Sequence, residues 1–307
     1  MLVSICIPTY SRLQYLKQSV QACLDQTYAD IEICVSQDPK KEGADPEINQ
    51  WCMEQNKNIP YFKYNLNEKN IGLAGNWNKC VEMASGSYIT IIGDDDLIAP
   101  DFVAKMVDQI VTYKADVAFC NQYFIDTNGH ILKDYTIKSN EEYKRNNLKT
   151  GLLEDPIKVV LNNSVPMSGS IIKRDLLLKH HFDANLNTPE FEVFLKIAVN
   201  NGVFVYNPEQ LASYRVHSLS ATSGGLTIHR LLKNVIDIYV PEKYKELKYE
   251  FVSSKIISAV NMSLRSREKK LAKFLLRSSY YPKDKFYLRV IQNSFLYFPN
   301  WAIKILL

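Results

Sequence analysis

The sequence lacks several features that define common classes of protein. No segment reaches the roughly 20 consecutive apolar residues of a membrane-spanning helix, and neither a Gly-x-Gly-x-x-Gly motif nor a P-loop is present. None of the six cysteines forms a Cys-x-x-Cys pair, and most of them lie in apolar segments. These absences argue against an integral membrane protein, a dinucleotide-dependent enzyme and an NTPase, and they predict reduced core cysteines in a cytoplasmic protein.

The most informative feature that is present is a run of three carboxylates, Asp94, Asp95 and Asp96. It follows residues 88–92, an apolar and β-branched segment typical of a buried strand. Adjacent carboxylates raise one another's pKa unless a cation lies among them, so the run predicts a site for Mg²⁺ or Mn²⁺. The alternative is a solvated turn in which Asp94 or Asp96 caps a helix that begins near Pro100.

Apolar strands alternate with helical patterns through the first hundred residues. Strands are predicted over residues 2–10, 31–38, 61–64 and 88–92, and helices over residues 12–24 and 75–84. This alternation is typical of a doubly wound parallel sheet, which binds its ligands at the carboxyl ends of the strands. Residues 134–150, rich in Lys, Asn and Glu, are predicted to be mobile.

An ordered set of short motifs resembles the family 2 glycosyltransferases. The set comprises VSICIPTY at 3–10, DQTY at 25–28, EICVSQD at 32–38, NIG at 70–72, Asn76, ASGSYI at 84–89 and the Asp94–Asp96 run, with weaker matches at 189–192 and 214–217. The resemblance implies a GT-A fold, an α/β architecture with a Rossmann-like, mostly parallel sheet flanked by helices, and here a C-terminal helical extension. It also implies inversion at the sugar carbon and a bacterial surface-polysaccharide type of enzyme.

Two positions depart from the pattern of the family. Gln37 stands where the first of two Asp residues after the second strand is common, and Asp38 is retained. Gly93 stands where many members carry Asp, while Asp95 and Asp96 still align. We therefore expect recognition of the base or ribose to survive in an altered form.

The resemblance also implies roles for individual residues. Glu190 is the predicted general base, with Glu192 as the fallback; the alternative is that Glu190 caps the helix that follows it. In an extended chain Arg215 and His217 point the same way, so Arg215 is predicted to bind phosphate and His217 to bind metal together with Asp96. The predicted donor-binding residues are Pro8, Thr9, Tyr10, Asp38, Asn70, Gly72, Asn76, Asp94, Asp95 and Arg215.

The predicted activity is a metal-dependent, inverting transfer of one sugar from a nucleotide-sugar donor, UDP-linked, to a glycan acceptor such as a lipid-linked surface-polysaccharide intermediate. Mn²⁺ or Mg²⁺ is the expected cofactor, and nucleic acid is not an expected partner. Two alternatives are a non-catalytic module that binds nucleotide sugars or glycans and a nucleotidyltransferase. A non-catalytic module would lack the base or the metal ligands, whereas Asp95, Asp96 and Glu190 are all present. A nucleotidyltransferase would carry a Gly-rich loop near the first strand, and residues 8–12 do not form one.

Charge divides the chain into a predicted catalytic domain, residues 1–226, and a basic helical extension, residues 227–307. The first has 21 Lys and Arg against 27 Asp and Glu, a net charge of −6, and the second has 16 against 6, a net charge of +10. Residues 1–115 are expected to bind the nucleotide sugar and residues 116–226 to form the acceptor side. The basic, aromatic tail fits either a helix on the inner face of an anionic membrane or a packed helical cap.

Overall fold

A computed structural model of the chain describes residues 1–40, 43–218, 225–299 and 303. The chain divides into two compact units, Met1–Gly224 and Gly225–Leu307. The first unit is an α/β domain with a single sheet, and the second is helical.

The described part of the first unit contains nine strands and eight α-helices. The strands are β1 Val3–Thr9, β2 Ile31–Gln37, β3 Phe62–Leu66, β4 Tyr88–Ile91, β5 Leu97–Ile98, β6 Val117–Ile125, β7 Gly151–Leu152, β8 Ser170–Lys173 and β9 Phe204–Arg215. The helices are α1 Leu13–Leu24, α2 Pro46–Asn58, α3 Gly72–Met83, α4 Phe102–Tyr113, α5 Lys133–Glu142, α6 Pro156–Leu161, α7 Arg174–His180 and α8 Glu190–Val199. The strand order is β3-β2-β1-β4-β8-β6-β9-β5, with β7 paired to β9.

The first half of the sheet is parallel, as the sequence predicts. β1 pairs with β2 on one side and with β4 on the other, and β2 pairs with β3, all in parallel. All seven residues of β2 are buried, and the middle of the strand, residues 33–35, is an apolar run. The carboxyl ends of β1, β2 and β4 therefore meet at one edge of the sheet.

The second half of the sheet is mixed, so the sheet contains both parallel and antiparallel pairs. β8 lies between β4 and β6 and runs antiparallel to both. β5 and β7 are antiparallel to β9, and only β6 and β9 pair in parallel. An apolar pattern indicates that a strand is buried and carries no information about its direction.

The core of this unit is built from the apolar faces of β1, β2, α1 and α4. Ile5, Ile33, Leu16 and Phe102 are fully buried within it. All six cysteines are buried and free, as the sequence predicts.

The segment predicted to be mobile, residues 134–150, is folded in the structure. It contains most of α5 and a 3₁₀ turn, Arg145–Asn147. Arg145 Nε donates to the carbonyl of Ser164 at 2.8 Å, and Thr136 Oγ1 accepts from the backbone N–H of Phe124 at 3.0 Å. These contacts with distant residues order a segment whose polar composition alone gives no helical signal.

The second unit has four α-helices in its described part: α9 Ile228–Asp237, α10 Lys245–Arg265, α11 Lys269–Arg277 and α12 Phe286–Ser294. Leu231, Leu232 and Val235 form the buried stripe of α9. Arg230 Nη2 joins α9 to Glu268, the residue before α11, at 2.7 Å. Among the described residues, no helix combines the length and the apolar character that crossing a membrane requires.

Candidate active site

Three buried carboxylates lie just beyond β4 at the carboxyl edge of the sheet. Asp94 is 1% exposed, Asp95 9% and Asp96 2%. Burial raises the pKa of Asp94, and it raises the pKa of Asp96 to about 7, with the charge of Asp95 adding to the effect in both cases. Three buried carboxylates in adjacent positions repel one another, so their ionised forms require a positively charged partner nearby.

That positive partner is Arg12, a residue that the sequence analysis missed. It lies in the loop between β1 and α1, where Nη1 donates to Asp95 Oδ2 at 2.5 Å and Nη2 pairs with Asp94 Oδ1. Nη1 also lies 3.2 Å from His217 Nε2. The signal that could have found Arg12 is its position, because the loop after β1 opens at the same sheet edge as the loop after β4.

Asp95 and His217 present a pair of atoms suited to a divalent cation. Asp95 Oδ2 and His217 Nε2 are 2.7 Å apart, and the His217 side chain is 4% exposed. A carboxylate oxygen and an imidazole nitrogen suit Mn²⁺, and a cationic group already lies against both atoms. No group of three or more His, Cys, Asp or Glu side chains in the described ranges is arranged to hold a metal. The remaining ligands would therefore be phosphate oxygens and water.

Asp96, the metal ligand predicted from sequence, has both of its carboxylate oxygens hydrogen-bonded within the protein. Asp96 Oδ2 accepts from the hydroxyl of Ser168 at 2.5 Å, and Asp96 Oδ1 accepts from the backbone N–H of Arg215 at 2.9 Å. Through these two hydrogen bonds, Asp96 connects the segment 94–96 to the loop before β8 and to the end of β9. Ser168 is a second residue that the sequence analysis missed, and it carries no motif signal.

Arg215 does not have the geometry of the predicted phosphate-binding residue. It is 1% exposed, and its guanidinium lies over the ring of Tyr15. Its nitrogens donate to the carbonyls of Asp95, Asp126 and Thr127 and to the side chain of Gln18, at 2.8 to 3.2 Å. A guanidinium engaged in this way has its donors directed into the protein, where Nε holds the backbone carbonyl of Asp95.

The end of β1 contacts the carboxylates directly. Thr9 Oγ1 donates to Asp94 Oδ2 at 2.7 Å. Pro8 pairs with Ser36 in the parallel ladder, and Tyr10, the next residue after the strand, is 44% exposed. Of the three residues predicted here to bind the donor, Pro8 lies within the sheet, Thr9 forms a hydrogen bond with Asp94, and Tyr10 is exposed to solvent.

Asn76 belongs to a buried hydrogen-bond network, so the structure does not support its predicted role in donor binding. Its Nδ2 donates to the carbonyls of Thr9 and Ser36, at 3.2 and 3.0 Å. Its Oδ1 accepts from Asn67 Nδ2 at 3.1 Å. Asn76 is 4% exposed, and these bonds make it a structural link between α3 and the ends of β1 and β2.

Asp38, Asn70 and Gly72 lie together where the chain enters α3. Asp38 Oδ1 accepts from Asn67 Nδ2 at 2.9 Å and from the backbone N–H of Ile71 at 3.2 Å, and burial raises the pKa of Asp38. Asn70 Oδ1 accepts from the backbone N–H of Gly72 at 3.0 Å. Gly72 has φ +75°, a conformation that favours glycine at the start of this helix.

The two departures from the family pattern have structural explanations. Gln37 is fully buried, and its side chain accepts from the hydroxyl of Tyr64 and donates to the carbonyl of Asp45. At Gly93, a Cβ atom would lie 2.5 Å from Asp95 Oδ1. Glycine at position 93 therefore leaves the space that the Asp95 carboxylate occupies.

Glu190 and Glu192 lie at the start of α8, in contrasting environments. Oε2 of Glu190 is buried and has no hydrogen-bond partner among the described residues, and burial raises the pKa of Glu190 to about 7. Glu192 forms an ion pair with Lys196 at 2.5 Å. Glu190 is the first residue of α8, and within the described residues no side-chain hydrogen bond caps this helix. Its roles as general base and as a negative charge at the helix N-terminus both remain predictions.

The family is decided by residues 4–163, which match the family model of glycosyl transferase family 2. The chain belongs to glycosyltransferase family 2. An uncharacterised glycosyltransferase of Methanocaldococcus jannaschii is 29% identical over 219 residues, covering 70% of this chain and 71% of that protein. Abequosyltransferase RfbV of Salmonella typhimurium is 35% identical over 124 residues, covering 40% of this chain and 36% of that enzyme.

Solved structures place this family 2 glycosyltransferase in the GT-A fold. S. aureus TarS 1–349 in complex with UDP-GlcNAc has a TM-score of 0.67 at 15% identity, covering 88% of this chain and 83% of that one. Mannosyltransferase PcManGT from Pyrobaculum calidifontis, in complex with GDP-Man and Mn²⁺, has a TM-score of 0.59 at 15% identity, covering 99% and 86%. The predicted family, fold and enzyme class are confirmed, and the roles of individual site residues remain predictions.

Proposed function

We propose that this glycosyltransferase transfers a sugar from a UDP-sugar to a glycan acceptor, with inversion and with the help of a divalent metal. The observation that carries the proposal is the convergence of Asp94, Asp95 and His217 on the guanidinium of Arg12 at the carboxyl edge of the sheet. TarS has been solved with UDP-GlcNAc and PcManGT with GDP-Man and Mn²⁺. These ligands support a nucleotide-sugar donor and a metal.

The proposed reaction is a single displacement. Glu190 accepts the proton of the acceptor hydroxyl, whose oxygen forms a bond to the anomeric carbon as the bond from that carbon to the phosphate oxygen breaks. The nucleoside diphosphate leaves with the bonding electrons. One displacement inverts the configuration of the sugar carbon, and the reaction requires one base, which Glu190 supplies.

The donor side is assigned to residues around the ends of β1, β2 and β4. Asp95 and His217 would hold Mn²⁺ or Mg²⁺, which when bound offsets the negative charge that develops on the leaving diphosphate. Asp94, oriented by Thr9, faces the same cationic group. Tyr10 and Asp38 are proposed to contact the nucleoside, the first by stacking and the second by hydrogen bonding.

The direct test is a panel of nucleotide sugars assayed with purified protein. We expect Mn²⁺ or Mg²⁺ to support release of the nucleoside diphosphate from one donor and to raise the thermal stability of the protein with that donor. Nucleotide release that is indifferent to EDTA would contradict the metal requirement. The absence of release and of thermal shift with every donor would contradict the whole assignment.

The raised pKa of Glu190 predicts how activity depends on pH. A base must be deprotonated, and with a pKa of about 7 Glu190 loses the proton-accepting form as the pH falls through neutrality. We expect kcat/KM to fall about tenfold for each unit of pH well below that pKa and to level off above it. The measurement is a profile of kcat/KM from about pH 5 to about pH 9. A flat acid limb would exclude Glu190 as the base.

A lipid-linked acceptor would bring the helical unit to a membrane. The surface of α12 exposes Phe286 and Tyr287, at 61% and 83%, together with Val290 and Ile291, at 52% and 54%. Exposed aromatic and aliphatic side chains on a helix in a strongly basic segment are typical of interfacial binding. We propose that α12 contacts an anionic leaflet. The apolar residues that end the tail lie outside the described residues, apart from Ile303.

Membrane contact through α12 predicts binding to anionic vesicles that salt weakens. We expect the protein to sediment with anionic liposomes at low salt and to be largely released at high salt. The double substitution Val290→Ser with Ile291→Ser should reduce the bound fraction. Val111→Ser, on α4 with Val111 64% exposed, is the matched control and should not. Equal binding to neutral and anionic vesicles would contradict the preference for an anionic leaflet, and binding to neither would favour the helical-cap interpretation of the tail.

A further inference from the structure

The cation already present in the acidic site uses the same atoms that a metal would use. Arg12 Nη1 lies 2.5 Å from Asp95 Oδ2 and 3.2 Å from His217 Nε2. Asp95 Oδ2 and His217 Nε2 are themselves only 2.7 Å apart, within hydrogen-bond distance. A divalent ion bound to both would lie where the guanidinium now lies, and the two positive charges would repel each other at that distance.

Arg12 is placed so that it can leave. It precedes α1 and belongs to neither β1 nor the helix, and its side chain is 20% exposed. Of the two carboxylates it contacts, Asp94 accepts from Thr9 Oγ1, and Asp95 adjoins Asp96, which accepts from Ser168 Oγ and from the backbone N–H of Arg215. The site therefore combines hydrogen-bonded carboxylates with a guanidinium, that of Arg12, on a partly exposed side chain.

We propose that Arg12 is an internal counter-ion of the acidic site, which a divalent metal must displace before it binds Asp95 and His217. This inference rests on the proposed metal-dependent function. Because leaving costs Arg12 its carboxylate partners, the metal alone binds weakly. A nucleoside diphosphate restores an anionic partner to the displaced guanidinium, since Arg binds phosphate well. Metal and nucleotide consequently strengthen each other's binding, by reciprocal coupling.

The test measures Mn²⁺ binding to the full chain by electron paramagnetic resonance of the free ion, with and without UDP. In Arg12→Gln, removal of a charge-assisted pair should tighten binding of Mn²⁺ alone by about tenfold or more. The further enhancement by UDP should become smaller than in the wild type. Lys79→Gln removes the same charge from a surface pair with Glu82, so it is the matched control and should change neither quantity.

Arg12→Lys provides a second measurement in case loss of the charge impairs folding. An ammonium group keeps the charge and loses the fork that spans Asp94 and Asp95, so this variant should bind Mn²⁺ alone more tightly than wild type and less tightly than Arg12→Gln. Wild-type affinity for Mn²⁺ in both variants would overturn the displacement and leave metal-dependent transfer intact. Absence of Mn²⁺ binding in every protein, even with UDP, would overturn both proposals.

Discussion

Asp95→Asn is expected to lower kcat/KM for sugar transfer by about 10²–10³-fold or more, the usual cost of losing a group that stabilises developing charge. Asp95 supplies the single oxygen that meets both Arg12 and His217. An amide in its place keeps the size of the side chain and loses the charge, so Mn²⁺ binding should fail as well. The measurements are kcat/KM, Mn²⁺ affinity and the thermal midpoint of unfolding, which we expect to change little.

Asp96→Asn is the control that separates the two adjacent carboxylates. Since Asp96 accepts from Ser168 and from the backbone N–H of Arg215, its substitution should destabilise the fold, by about 1–3 kcal/mol for a disrupted buried hydrogen bond. Any loss of activity should accompany that loss of stability. Normal stability with abolished activity in Asp96→Asn, together with an active Asp95→Asn, would restore the assignment made from sequence.

Glu190→Gln is expected to lower kcat by about 10²–10⁴-fold, the range typical of a general base. The base acts on the acceptor hydroxyl, so affinity for the nucleotide sugar should remain close to that of the wild type. The buried Oε2 of Glu190, with no partner among the described residues, supports this role. The measurements are kcat at saturating substrates and donor affinity by calorimetry.

Glu192→Gln is the matched control on the same turn of α8. It breaks the ion pair with Lys196, so a modest loss of stability is expected, with kcat little changed. If Glu192→Gln loses kcat and Glu190→Gln does not, the base is displaced by two residues from the position that the family pattern implies. Loss of donor affinity with normal kcat in Glu190→Gln would remove Glu190 from the proposed role.

The sequence was sufficient for the parallel half of the sheet, because buried strands and amphipathic helices have different periods. β1, β2 and β4 lie within the segments predicted for them, and their ends bring Thr9, Asp38 and Asp94 to one edge. The direction of β8 and the helix α5 could not be predicted in the same way. Both depend on contacts with residues far along the chain.

The sequence alone predicts the kind of site that the three Asp residues form better than it predicts the partner of each side chain. Three adjacent Asp residues predict a cation site, but no local pattern reveals that Asp96 accepts hydrogen bonds from Ser168 and from the backbone N–H of Arg215. Asn76 and Arg215 occur at positions that the family pattern associates with function. Their donors are taken up by the protein's own carbonyls, and this is visible only in three dimensions.

The complete burial of the cysteines makes the folded protein well suited to site-specific labelling. Cys6, Cys23, Cys34, Cys52, Cys80 and Cys120 are each 0% exposed. A maleimide probe would therefore find no native thiol on the surface, so one introduced cysteine would carry the whole signal. A spin label or fluorophore at position 287 on α12, and another at position 10 beside β1, would then report on each unit separately without removal of any natural residue of the core.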